Sequence, residues 1–294
     1  MIVLELGLGT VQFGQDYGIS NSYGQTPIAE VAQIFDLAND YGIKILDTAA
    51  LYGASEEVLG KVLRRNHNFS IVTKTKKYPK YITRDEANHL ENSLHDSLRK
   101  MRQDSVYGLL FHDAANLIDD NEHLLYDRMI SLKEKGLVKK IGVSVYTEEQ
   151  INSILDQFKI DLIQIPMNVL DQRLLVHGIL DMLNEKGIEI HVRSVFLQGL
   201  LLMNPNQLPQ QFYSMTEDLK EYHHDLTAVG LTPLSAALQF VTTQRVDCAL
   251  VGVTTKQELQ EVLRATELNR SSPALNYAKY ACHNEKIVNP ALWS

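Results

Sequence analysis

The chain has 294 residues, 45% of them hydrophobic and 22% charged, a balance that suits a globular protein with a full core and excludes a disordered or fibrous one. Its 28 Lys+Arg against 36 Asp+Glu give a formal charge of -8, and no basic block is present to neutralise a run of phosphates, which argues against nucleic acid as a partner. Cys248 and Cys282, the two cysteines, are too few for a disulfide framework and have no Cys or His at metal-ligand spacing, so a cytoplasmic protein without a metal centre is expected.

The N-terminal Met1-Ile2-Val3-Leu4-Glu5 lacks a basic stretch, and no apolar run approaches the roughly 20 residues that span a bilayer. Both features argue against secretion and membrane insertion. Length alone allows one or two domains of about 150 residues, but the chain alternates short apolar runs with longer amphipathic segments from end to end. No Pro/Gly/Ser-rich linker breaks the pattern.

In chain order the strand candidates are Leu4–Gly9, Ile43–Asp47, Phe69–Lys74, Val106–Phe111, Lys140–Ser144, Leu162–Ile165, Glu189–Arg193 and Cys248–Val251. The helical stretches between and after them are Ile28–Tyr41, Glu56–Arg65, Arg84–Met101, Glu122–Lys135, Glu148–Gln157, Gln172–Lys186, Pro233–Thr243 and Gln257–Ala265. Thr26-Pro27, Thr83, Thr147 and Thr232-Pro233 read as helix starts, and Gly42, Gly136 and Gly187 as stops.

Eight βα units in succession predict a single α/β domain, a closed (β/α)8 TIM barrel over residues 1–294. The rival, an open doubly wound sheet, would need a G-x-G-x-x-G turn opening the first helix. Gly7-Leu-Gly9-Thr-Val-Gln12 lacks the third glycine, and the next helix signal waits until Thr26. An insertion at about 196–231 and a C-terminal tail at about 266–294 exceed the repeat. Long barrel loops are usually functional, so both are expected to cover a ligand and choose the substrate.

In a barrel, reacting groups belong at the C-terminal ends of strands and in the loops just after them. Asp47 closes strand two, Tyr52 follows in its loop, Lys74 closes strand three and His112 closes strand four. Each has a bland reading alone: a turn cap, a rim aromatic, part of the solvated run Lys74-Thr-Lys-Lys77, and a core histidine. Four successive rim positions make the joint reading stronger. An ammonium lowers the pKa of a neighbouring phenol, Asp47 would fix Lys74, and a neutral His112 would orient a substrate oxygen. Such a set donates a proton to a carbonyl being reduced, or accepts one from an alcohol being oxidised.

The opening Leu6-Gly-Leu-Gly-Thr-Val-Gln-Phe-Gly14, the block Leu46-Asp-Thr-Ala-Ala-Leu-Tyr-Gly-Ala-Ser-Glu-Glu-Val-Leu-Gly60, then Thr73-Lys74, Phe111-His112-Asp113 and Gly136-Leu-Val-Lys-Lys-Ile-Gly-Val-Ser144 follow in order. Together they resemble the aldo-keto reductases, bacterial type, over nearly the whole chain. The resemblance implies a catalytic tetrad of Asp47, Tyr52, Lys74 and His112, with Tyr52 as general acid. It also implies a nicotinamide cofactor, NADP first and NAD as the alternative, reducing a small-molecule aldehyde or ketone. Specificity in a barrel belongs to loops, here Gln15–Gln25, Leu51–Ser55, Tyr78–Ile82, Ala114–Asp120, Phe196–Pro209 and the C-terminal tail, whose polar residues hint at a sugar-like substrate.

Ser144 and Gln164 match the positions that hold the nicotinamide carboxamide, and Arg193 stands where a side chain packs on the ring. Gly199 and Leu200 fall in the pyrophosphate loop. Gly252, Thr254, Thr255 and Lys256 match the adenosine-phosphate segment, with the last three receiving the 2′-phosphate and Glu261 the adenine. Three positions depart from the family pattern: Val145 and Val262 replace asparagines, and Glu258 stands near a common arginine. Two other functions compete, a cofactor-binding redox sensor or scaffold subunit with little turnover, and a lyase in which Lys74 forms a Schiff base.

Overall fold

The computed structural model describes residues 5–268 and 275–293. Eight strands form a closed barrel, each parallel to the next: β1 (Glu5–Gly9), β2 (Ile45–Asp47), β3 (Ser70–Lys74), β4 (Val106–Phe111), β5 (Val138–Ser144), β6 (Leu162–Pro166), β7 (Glu189–Arg193) and β8 (Cys248–Gly252), with β8 closing on β1. The outer helices are α1 (Ile28–Asp40), α2 (Ser55–Val62), α3 (Arg84–Met101), α4 (Leu124–Glu134), α5 (Glu148–Leu155), α6 (Ile179–Glu185), α7 (Pro233–Thr242) and α8 (Lys256–Leu268). The predicted (β/α)8 TIM barrel is therefore the fold; Leu4, the first residue of the predicted first strand, lies outside the described residues.

Local chemistry explains most boundaries. Thr83 and Glu86 close a capping box on α3, as Thr147 and Gln150 do on α5, while Gly42, Gly136 and Gly187 adopt φ of 74°, 75° and 69°. Two expectations need correction. Pro27 is the N-cap of α1 without a side-chain bond, because Thr26 is buried and donates its N–H to the Gln12 carbonyl. The segment Gln172–Lys186 is not one helix: a 3₁₀ turn at Arg173–Leu175 ends before His177 and Gly178, whose φ of 56° and 70° interrupt helical geometry ahead of α6.

The main core fills the space between sheet and helices, and a smaller one fills the barrel itself with Ile45, Val72, Leu110, Leu162, Cys248 and Leu250. Strand side chains alternate between faces. Residues two positions downstream of these interior ones therefore also face inward, at the C-terminal rim: Asp47, Lys74, His112, Gln164 and Gly252.

The opposite end of the barrel is polar. Glu189 accepts bonds from Tyr107 Oη (2.7 Å) and pairs with His191 Nε2 (2.6 Å) and Lys140. Burial opposes the charge, but the bonds from His191, Lys140 and Tyr107 outweigh it and hold the carboxyl at about 2.

The insertion comprises 3₁₀ turns at Leu197–Leu202, Pro205–Gln207 and Gln210–Met215 followed by the helix Thr216–Ala228. Part of the predicted tail belongs to α8, which runs to Leu268, and residues 269–274 and 294 of that tail lie outside the described residues. The described tail is tied down by Tyr277 Oη donating to Gln239 (2.7 Å), the Lys279–Asp225 ion pair, and Trp293 edge-on to Phe212 with centroids 4.8 Å apart.

The barrel floor yields a pH prediction. A carboxyl lowered from 4.5 to about 2 on folding adds stability that is complete above the unfolded value and is lost as pH falls through the folded one. Urea denaturation at stepped pH should show this loss between those two values. Glu189→Gln should remove that component and cost about 2 kcal/mol at neutral pH; an unaltered acid limb would refute the assignment.

Candidate active site

Asp47, Lys74 and His112 meet at the inward rim because β2, β3 and β4 are successive neighbours with inward-facing residues in register. Lys74 is 1% exposed. Its ammonium has three protons to place, and it donates to Asp47 Oδ2 (2.6 Å), the Thr48 carbonyl (3.0 Å) and Tyr52 Oη (3.3 Å). The His112 ring meets the Tyr52 ring edge-on, with centroids 5.6 Å apart. Asp47 Oδ1 accepts from Gln164 Nε2 (2.8 Å), which ties β2 to β6 across the barrel.

The loop bearing Tyr52 is pinned against the turn after β1. Thr10 Oγ1 donates to the Asp47 carbonyl (3.0 Å), Ser55 Oγ donates to the Thr10 carbonyl (2.9 Å), and the Ala54 N–H donates to the Gly14 carbonyl (3.1 Å). Gly14 is required by this approach, since a Cβ there would sit 1.9 Å from the Tyr52 carbonyl oxygen. Thr10 and Ser55 were not singled out from the sequence. Their role shows only when β1 and the β2 loop are brought together.

The electrostatics correct one expectation. Lys74 does not bring the Tyr52 phenol down: burial and the neighbouring Asp47 charge push it above its ordinary value, against a smaller opposing effect from Arg193. The lysine charge is taken up by Asp47, whose attraction partly offsets the burial that lowers the Lys74 pKa. His112 is held down to about 3 by burial, then by the Lys74 and Arg193 charges, so its imidazole is neutral.

A cavity of about 510 Å³ opens on this rim. Asp47, Tyr52, Lys74, His112, Ser144, Gln164, Arg193, Gly199, Gly252, Thr254 and Glu261 line it, whereas Leu200, Thr255 and Lys256 do not. Leu200 is buried in the core; the Thr255 hydroxyl accepts the Glu258 N–H (3.1 Å), and the Lys256 N–H donates to Glu30. Arg193 donates to Ser144 Oγ (3.2 Å) and the Val145 carbonyl (3.1 Å), with its guanidinium 4.1 Å from the Tyr146 ring centre.

Tyr17, Ser20 and Gln198, from the loops 15–25 and 196–209 expected at the pocket, also line the cavity, as does Tyr146, which nothing in the sequence marked. The signal for Tyr17 and Ser20 was the long polar stretch between β1 and α1. Gln198 belongs to a run of left-handed residues, Ser194, Leu197, Gln198 and Gly199, with φ of 61°, 48°, 53° and 96°. Such a cluster of uncommon backbone conformations is typical of ligand clamps.

The expectation that the tail covers the ligand is overturned for the described residues. No residue of 275–293 lines the cavity, because the tail is bound to α7 and to the helix Thr216–Ala228 instead. The loops at 78–82 and 114–120 also stay off the wall.

The Aldo/keto reductase family matches residues 5–278. The chain belongs to that family, whose members are oxidoreductases. Among relatives of this aldo-keto reductase, the chloroplastic pyridoxal reductase of Arabidopsis thaliana is 30% identical over 173 residues, 53% of this chain and 46%, less than half, of that protein. The uncharacterized oxidoreductase YqkF of Bacillus subtilis is 24% identical over 289 residues, 91% of this chain and 89% of that one. Methylglyoxal reductase DkgA of Escherichia coli K12 is 26% identical over 60% of this chain and 58% of its own. The fold is shared with aldo-keto reductase AKR11C1 from Bacillus halodurans, with a TM-score of 0.74 at 22% identity over 99% of this chain and 94% of that chain.

One orphaned atom bears on the cofactor that the family implies. Gln164 Oε1 is buried and has no hydrogen-bond partner among the described residues; beside Ser144, it leaves an acceptor that suits the NH₂ of a carboxamide. For this aldo-keto reductase, NMR titration of the imidazole should find His112 neutral from about pH 5 upward, with no transition near the ordinary 6.5. A His112 transition at that value would contradict the burial argument.

Proposed function

We propose that the protein reduces an aldehyde or ketone to an alcohol with a reduced nicotinamide dinucleotide, Tyr52 being the proton donor. The observation that carries this reading is the Lys74 ammonium donating to Asp47, the Thr48 carbonyl and Tyr52 Oη at the mouth of the cavity. A bound reduced nicotinamide supplies hydride to the carbonyl carbon, and Gln164 and Ser144 would hold its carboxamide.

The chain's own residues handle the proton and the developing charge. Tyr52 passes its hydroxyl proton to the carbonyl oxygen, and the phenolate left behind is met by the N–H of Lys74. Neutral His112 orients the same oxygen by hydrogen bonding. Because burial and Asp47 raise the Tyr52 pKa, the phenol keeps its proton until negative charge develops beside it. That favours reduction over alcohol oxidation, which needs the phenolate.

Polar groups at the mouth, from Tyr17, Tyr146 and Arg193, suit a small polar carbonyl, including a sugar-like one; the carbonyl compounds named for two relatives, pyridoxal and methylglyoxal, are also small and polar. A Schiff base would need an accessible neutral amine at Lys74. The side chain is instead enclosed, with its three donors engaged. Two free cysteines, Cys248 and Cys282, support a cytoplasmic location in this reading.

A panel of aldehydes, keto-sugars and keto-acids should cause loss of reduced-nicotinamide absorbance with NADH or NADPH; no loss with any member would sink the proposal and favour a sensor or scaffold role. Tyr52→Phe should bind the dinucleotide normally and turn over about 10²-fold more slowly or worse. Lys74→Met should slow reduction, because the phenolate left on Tyr52 loses the N–H that meets it. Undiminished turnover in that variant would contradict this role.

A further inference from the structure

The far end of the cavity, where β8 leads into α8, carries a distinct charge pattern. Gly252, Thr254, Glu258 and Glu261 line it. The first backbone amides of a helix are ready donors for an anion, and a phosphate would normally take them. Here three amides at this turn, those of Thr254, Lys256 and Glu258, are already engaged. The Thr254 N–H and hydroxyl both donate to Glu258 Oε2, at 2.6 and 3.0 Å, and the Lys256 N–H donates to Glu30 Oε1 at 2.6 Å. The Glu258 N–H is taken by Thr255 Oγ1 (3.1 Å).

Carboxylates thus occupy the Thr254 and Lys256 donors, for which a phosphate ester at this turn would have to compete. Glu30 reaches them from the first turn of α1, so this filling depends on two elements and not on α8 alone. A ribose 2′-phosphate carries roughly -1.5 to -2 charges. It would have to displace these carboxylates and remain beside them, with the half-buried Lys256 as the cation in the same turn. A 2′-hydroxyl asks for the opposite, an acceptor. Glu258 provides one, because its second oxygen, Oε1, accepts no hydrogen bond from the described residues, while Oε2 is fixed by Thr254.

We propose that the site takes the unphosphorylated dinucleotide, NADH in preference to NADPH, with Glu258 as the residue that discriminates by receiving the ribose 2′-hydroxyl and repelling a 2′-phosphate. This reverses the order of cofactors that the resemblance implies. It rests on the reading of the cavity as a nicotinamide dinucleotide site, and it concerns the adenosine end alone, leaving the carbonyl chemistry untouched.

Isothermal titration calorimetry of the whole protein with NADH and NADPH, without carbonyl substrate, tests it directly. The expected result is at least about tenfold tighter binding of NADH. ADP-ribose should likewise outcompete its 2′-phosphorylated counterpart. Glu258→Gln removes the charge while keeping an amide oxygen, and should shrink the NADH preference about fivefold or more, mainly by tightening NADPH. Equal or tighter binding of NADPH by the unmodified protein overturns the inference while leaving the reductase reading intact. Binding of neither dinucleotide overturns both. A preference for NADH that Glu258→Gln leaves unchanged overturns the assignment to Glu258, and the comparison on the unmodified protein stands even if that variant fails to fold.

Discussion

Burial of the Lys74 ammonium is the constraint around which the rim is organised. Removing a charge from water costs several kcal/mol unless it is paired and its donors are satisfied. Three acceptors from different positions do this: the Asp47 carboxylate, the Thr48 carbonyl and Tyr52 Oη. None can move without exposing or orphaning the others. Asp47 is itself held by Gln164 from β6, so one buried charge fixes the relation between strands on two sides of the barrel and the loop that carries the phenol.

The barrel supplies this arrangement through simple alternation. Ile45, Val72, Leu110, Leu162 and Leu250 fill the interior, and the next inward residues on their strands or just beyond them are Asp47, Lys74, His112, Gln164 and Gly252. The apolar layer therefore acts as a dry floor below the polar one. It lowers the local dielectric, which strengthens the Lys74–Asp47 pair and raises the Tyr52 pKa. At positions 7 and 142 the interior has no room for a side chain: a Cβ at Gly7 would lie 2.8 Å from Cys248 Sγ, and one at Gly142 1.7 Å from the Leu162 carbonyl oxygen. Packing of the barrel and chemistry at its mouth are thus set by the same pleat.

These regularities explain what could be read from the sequence. Buried parallel strands give continuous apolar runs, and a residue at the end of such a run is assigned to the rim with no further information; Asp47, Lys74, His112, Ser144, Gln164 and Arg193 were found in this way or by motif. The helix starts at Thr83 and Thr147 were legible because the chemistry of a cap spans only a few residues. What lacked a local signature was missed. Left-handed conformations at Leu197 and Gln198 are imposed by tertiary packing on residues that do not prefer them, and the tail's route away from the cavity depends on partners such as Gln239 and Asp225 far along the chain. At α8, the residue types of the phosphate segment were visible, but Glu30 lies more than 200 positions away and its carboxylate on the Lys256 amide was not.

The net charge of -8 says nothing about how charge is distributed inside the cavity, and that distribution is uneven. Near the chemistry, Asp47 takes up the Lys74 charge, whereas the hydrogen bonds of Arg193 run to the neutral oxygens of Ser144, Ser194 and Val145. The positive charge of Arg193 is therefore not spent on a bonded carboxylate, and it acts on the phenol, where it opposes the rise caused by Asp47. An uncompensated cation fixed beside an oxygen that becomes anionic stabilises the transition state more than the ground state, because nothing has to reorient when the charge appears. At the other end, Glu258 and Glu261 line the wall with no arginine opposite them among the lining residues. A long ligand carrying an electron-poor ring at one end and neutral hydroxyls at the other meets suitable partners along this gradient. One with extra negative charge at its far end meets carboxylates where it needs donors.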